Sequence, residues 1–206
     1  MLWSIIWCSV TNLFCLFPTY LAYKKNMDEW VLYLSTGIVS ILYHLHHYNK
    51  YIKPACSFMN YGAIQMVDHV LSDMCICWIT SCIPNRNLHV KSFFLFLPVD
   101  MYVVYIQNGI VRWILYGLWV SASLMYILFN RKMYSHKYTA LGILSSAAEL
   151  FFYKIFPDMY PAYYNWIHGV HHIFGFMGIY FYMRINETPD GNRLLVVNKE
   201  DYMFTV

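Results

Sequence analysis

Residues 160–184 read "YPAYYNWIHGVHHIFGFMGIYFYMR", an aromatic and aliphatic run broken in its middle only by His168, His171 and His172. A hydrocarbon core about 30 Å thick is crossed by roughly 20 apolar residues in a helix, and this run has that length. Histidine at such depth is costly unless its ring finds a partner. The stretch therefore predicts a spanning helix and, with it, other polar groups at the same level.

The rest of the chain agrees. Of 206 residues, 59% are hydrophobic and only 12% charged, too apolar a balance for a water-soluble domain of this size. Runs of spanning length cover Leu2 to Tyr23, Trp30 to Tyr48, Tyr61 to Ile83, Ser92 to Gln107, Ile110 to Asn130, Tyr138 to Phe156 and Tyr160 to Arg184. The expected fold is an all-α, polytopic membrane protein, a seven-transmembrane-helix bundle over residues 1–185. A polar tail follows over 186–206. The fourth run is short and carries Pro98 and Asp100. The first lacks a basic start and a small-residue cleavage site, so it is expected to stay as a helix rather than be removed as a signal peptide.

Composition excludes several classes. A net charge of +3 gives no footprint for nucleic acid. The six cysteines lie mostly in apolar runs, where they read as small buried hydrophobes rather than a disulfide framework. Orientation follows from basic residues, which stay cytoplasmic. Lys24, Lys25, Arg86, Lys91, Arg131, Lys132, Lys137, Arg184, Arg193 and Lys199 fall on one side, against Lys50, Lys53, Arg112 and Lys154 on the other. This places the N terminus outside or in the lumen and the tail in the cytosol, in the plasma membrane or a secretory-pathway membrane.

With that orientation the polar residues can be compared by depth. His44 lies near the outer end of the second helix. Asp68 lies about two turns below the outer start of the third, and His168 and His172 two to three turns below that of the seventh. All four share one layer. His168 and His172, four apart, differ by only about 40° around their helix and point at one spot. Such a pair also serves to hydrogen-bond neighbouring helices. With His44 as a third ligand the set suits zinc, which takes imidazole nitrogen at about 2.0–2.1 Å. Ser40, one turn deeper than His44, is placed to donate to an oxyanion, and Asp68 to orient or deprotonate a water. Together these residues describe a metal-assisted hydrolase.

Other ionisable residues are set apart. His171 lies about 100° from His172 and cannot share its direction. His69 follows Asp68 and is expected to point elsewhere, while His46 and His47 are expected at the interface. Asp73, Asp100 and Glu149 fit supporting hydrogen bonds or a wet cavity.

Ser40-x-x-x-His44 in "SILYH", Asp68 in "IQMVDHVLS" and His168-x-x-x-His172 in "YNWIHGVHH" resemble the seven-helix superfamily of alkaline ceramidases and progestin and adipoQ receptors. Within it they look most like the transmembrane protein 8 and myomaker family. The resemblance implies zinc on His44, His168 and His172, with Ser40 and Asp68 completing the site. The compact shape is that of the myomaker branch, although "KEDYMFTV" lacks that branch's terminal cysteine cluster. "LHH" also follows His44 where the family usually has "ACD".

Two functions follow as expectations. One is a zinc-dependent lipid hydrolase, phospholipase A2-like or ceramidase-like, that cleaves an ester or amide near the outer leaflet, with membrane lipids as partners. The other is a non-enzymatic, myomaker-like protein of cell-surface remodelling or membrane fusion, in which zinc ties helices together.

Overall fold

A computed structural model describes residues 2–25, 27, 29–52, 61–82, 98–99, 101–102, 105, 109–129 and 134–185. Asp100, the fourth expected span apart from five positions, and the tail 186–206 lie outside the described residues. Every element among the described residues is helical, and none is a strand. The chain forms α1 (Leu2–Thr11), a 3-10 turn (Asn12–Cys15), α2 (Leu16–Lys24), α3 (Trp30–Ile52), α4 (Tyr61–Cys82) and α5 (Gly109–Phe129). It continues with α6 (His136–Leu150), a π-helical turn (Phe151–Ile155), the short α7 (Phe156–Met159), a 3-10 turn (Pro161–Tyr163) and α8 (Tyr164–Tyr182).

Two expected spans are not uniform helices, and proline accounts for both departures. Pro18 has no N–H to give to the carbonyl four residues earlier and its ring pushes on that carbonyl. That carbonyl is Phe14's, inside the tight turn between α1 and α2. At the change of winding, the Cys8 carbonyl accepts from Thr11 Oγ1 at 2.8 Å and from Asn12 Nδ2 at 3.0 Å. Pro157 likewise has no N–H to give to the Tyr153 carbonyl, and the chain before it widens into the π turn.

Close backbone approach fixes α1 and its following turn against the two helices that matter most for the site. A Cβ on Gly169 of α8 would collide with the Trp7 indole nitrogen and come within 3.2 Å of Thr11 Oγ1. Trp7 Nε1 donates to the Trp166 carbonyl at 3.1 Å, and the two indoles lie 5.7 Å apart. A Cβ on Gly37 of α3 would collide with Cys15 Sγ. Further along, α6 packs on α8 through small residues, with Ser145 and Ser146 against Gly178 and the Tyr182 ring over Gly142.

The buried core gathers Cys15, Ala22, Tyr33, Cys75, Phe176 and Ile179 near the middle of the bundle. At one end the chain ties its helix ends together. Lys25 donates to the Met183 carbonyl at 3.0 Å, and Ser135 N–H to Ile185 at 2.7 Å. Arg184 lies over the Tyr138 ring at 4.6 Å, with Lys137 beside the same ring. Lys25, Lys137 and Arg184 thus share that end.

Many large apolar side chains among the described residues face outward. Trp3 is 74% exposed, Leu118 66% and Phe129 81%, and soluble monomers rarely present such side chains in continuous faces. Among the described residues one stretch, Ile6–Lys24, has both the length and the hydropathy to cross a membrane. Helices α3, α4 and α8 have the length, but tyrosines, histidines and aspartates lower their mean hydropathy.

The approach at Gly169 predicts a measurable cost. Gly169→Leu overpacks a contact already closed and should lower stability by about 1–3 kcal/mol. For a chain of this size that lowers Tm by roughly 2–12 °C, read by thermal unfolding in detergent. Gly117→Leu, where no atom lies within 4 Å, should leave Tm unchanged.

Candidate metal centre

Helix α8 supplies two rings. His168 and His172, one turn apart, have ring centroids 4.7 Å apart and planes 86° to each other. Helix α3 supplies the third: the His44 ring lies 5.1 Å from each. His44 Nε2 and His172 Nε2 approach to 3.0 Å, so in the metal-free state one must carry a proton and donate to the other. Aromatic neighbours limit ring rotation, with Tyr164 stacked on His168 at 5.4 Å and Tyr43 5.1 Å from His44.

A fourth donor comes from α1. Cys8 Sγ is buried, 3.5 Å from His44 Nε2. One ligand atom from each of Cys8, His44, His168 and His172 lies within 4.8 Å of all the others, a group that can hold a metal ion. Imidazole and thiol donors suit a borderline or soft transition ion, not magnesium or calcium, which take oxygen. In a tetrahedron with metal–nitrogen bonds of 2.0–2.1 Å, nitrogens are about 3.3–3.4 Å apart. The His44–His172 separation is within a few tenths of that edge, a difference that small ring rotations absorb. His168 Nδ1 is buried with no hydrogen-bond partner among the described residues, a cost of about 1–3 kcal/mol that a bound cation or a water would remove.

The other sequence-predicted residues surround this group without joining it. Ser40 is buried one turn before His44 on α3, and its Oγ has no hydrogen-bond partner among the described residues. Asp68 is buried on α4, within electrostatic reach of Cys8. His171 turns away from the donors: its Nδ1 lies 3.9 Å from Glu149 Oε1, and its ring packs on Tyr153 at 4.8 Å. The π turn is what carries Tyr153 to that place. Asp73 lies buried within electrostatic reach of Glu149, and Cys75 Sγ meets Thr36 Oγ1 at 3.1 Å. These groups form a second polar layer next to the first. His69, expected to point elsewhere, lies within electrostatic reach of His168. Of the interfacial pair, His46 is half-buried and the His47 side chain lies outside the described residues.

Cys8 is the donor that the sequence reading left out: it is buried, as expected of a small hydrophobe, and it also faces the three histidines. The signal was depth rather than spacing. Cys8 sits about two turns from the start of its helix, the level at which His44, His168 and His172 meet it. It has no local partner to mark it.

Full-length protein purified in detergent should carry about one transition-metal ion per chain, measured by elemental analysis. His168→Ala and His172→Ala should each weaken retention by roughly 100-fold or more. His171→Ala, outside the donor group, should keep it. Equal metal in all three variants would contradict the assignment.

Residues 1–173 match the model of a family described as a protein of unknown function, DUF3522. No curated protein and no solved structure matches the chain. The matched region contains all four donors together with Ser40 and Asp68, and the chain belongs to the DUF3522 family.

Proposed function

We propose that the chain is a seven-helix membrane protein whose zinc centre, near the outer leaflet, serves the hydrolysis of a lipid ester or amide. The observation that carries this reading is the meeting of His44, His168 and His172 beside buried Ser40 and Asp68 in an apolar-faced bundle. Depth supports the outer placement. His172 lies 12 residues before Arg184 at the basic end, roughly 18 Å along a helix, and basic ends remain in the cytosol. In a core about 30 Å thick, that distance supports a centre in the outer half.

Zinc held by the three histidines would polarise a carbonyl and bring the pKa of a water to about 7. The chain's own residues do the rest. Ser40 Oγ, which has no hydrogen-bond partner among the described residues, donates a hydrogen bond to the carbonyl oxygen as negative charge grows there. The Asp68 carboxylate takes the proton of the attacking water. The apolar outer surface favours substrates that arrive within the membrane, which points to lipid rather than a soluble ester. The order of Ser40, His44, Asp68, His168 and His172 along the helices also resembles the alkaline ceramidase and adipoQ receptor superfamily.

One observation favours a second reading. Four protein donors complete a tetrahedron, as structural zinc sites do, whereas catalytic sites keep a place open. On that reading the protein is non-enzymatic, a myomaker-like component of cell-surface remodelling or fusion.

Asp68→Asn separates the two. In the hydrolase it keeps fold and metal and lowers release of fatty acid from phospholipid and ceramide micelles by roughly 100-fold or more. Equal release from wild type, Asp68→Asn, Cys8→Ala and buffer would remove hydrolysis and leave the structural reading.

A further inference from the structure

The four donors are not equivalent. Three are imidazoles on α3 and α8, which supply Tyr33, Phe176 and Ile179 to the buried core. The fourth, Cys8, comes from α1, which packs on α3 and α8 and turns Trp3 and Val10 outward. Its Sγ lies 3.5 Å from His44 Nε2. For zinc with a sulfur at about 2.3 Å and a nitrogen at about 2.05 Å, the tetrahedral sulfur–nitrogen edge is about 3.6 Å. On that edge the thiol already stands at a fourth ligand's distance from His44, and it lies within 4.8 Å of the donors from His168 and His172.

We propose that Cys8 is the fourth ligand and caps the centre: its thiolate fills the position that a hydrolytic site leaves to water, and the site opens only when Sγ withdraws. This rests on the metal-dependent reading above and adds regulation to it. Two features of α1 suit a cap. Trp7 and Thr11 hold the flanking turns against Gly169, which sets the resting position of Sγ. Cys8 itself lies one turn before the change of winding at Asn12, and its carbonyl accepts from the Thr11 and Asn12 side chains there. Local rewinding there moves Sγ and leaves the three histidines in place. The other described cysteines are elsewhere, Cys15 against Gly37 and Cys75 on Thr36.

The test replaces the native ion of the full-length protein with cobalt(II), in detergent. Wild type should show a sulfur-to-cobalt charge-transfer band in the near ultraviolet, and added azide should leave its visible spectrum unchanged. Cys8→Ser and Cys8→Ala should keep the cobalt, lose the band and respond to azide at the vacated position. A cobalt-loaded wild type without the band overturns the cap, and does so even if neither variant folds. Variants that keep the band, or azide binding equally to wild type and variants, also overturn it. Failure of the underlying metal reading is seen in stoichiometry instead: no cobalt in wild type, or as much in His172→Ala, removes the centre and the cap with it.

Discussion

A neutral imidazole has two ring nitrogens that each need a partner, and hydrocarbon offers none. Burying one such ring costs free energy, and burying three side by side costs more unless they share something that satisfies them together. His44, His168 and His172 meet with two nitrogens 3.0 Å apart and another, His168 Nδ1, with no hydrogen-bond partner among the described residues. A cation resolves this arrangement at one stroke, because each ring then coordinates through a lone pair instead of competing for protons. The bundle's other features can be understood as what holds α3, α8 and α1 close enough for that to happen.

Packing provides the tolerance the site demands. Gly37 and Gly169 let α1 and its following turn approach α3 and α8 at distances no side chain would permit. At the far end, Lys25, Ser135 and Arg184 tie the helix ends together and fix their relative height. Registers set at one end determine which residues meet at the other. The second polar layer, with Glu149, His171, Asp73, Thr36 and Cys75, lies next to the metal group and gives the bundle a polar interior that pure lipid-like packing would lack.

Sequence revealed the parts of this that are local or periodic. The i, i+4 spacing of His168 and His172 fixes their common direction whatever the tertiary fold. Helix period and depth below the span ends put His44 and Asp68 at the same level. The separation of His171 from the pair was likewise a matter of angle, and its ring is found toward Glu149 and Tyr153. What stayed hidden depends on neighbours from distant sequence. Cys8 has no second metal donor within its own helix. His69 reaches His168 only through the packing of α4 on the bundle. The 3-10 and π turns had a visible cause in Pro18 and Pro157, yet their widths reflect how the surrounding helices accommodate the lost hydrogen bonds.

The central claim is that imidazoles from α3 and α8 converge on one cation. X-ray absorption at the zinc edge of the purified full-length protein tests it most directly, since it reads the ligands around the ion without any substitution. The account predicts a nitrogen shell at about 2.0–2.1 Å with the outer scattering pattern of several imidazole rings. A first shell made of oxygen alone, or a protein that binds no transition metal, would contradict it.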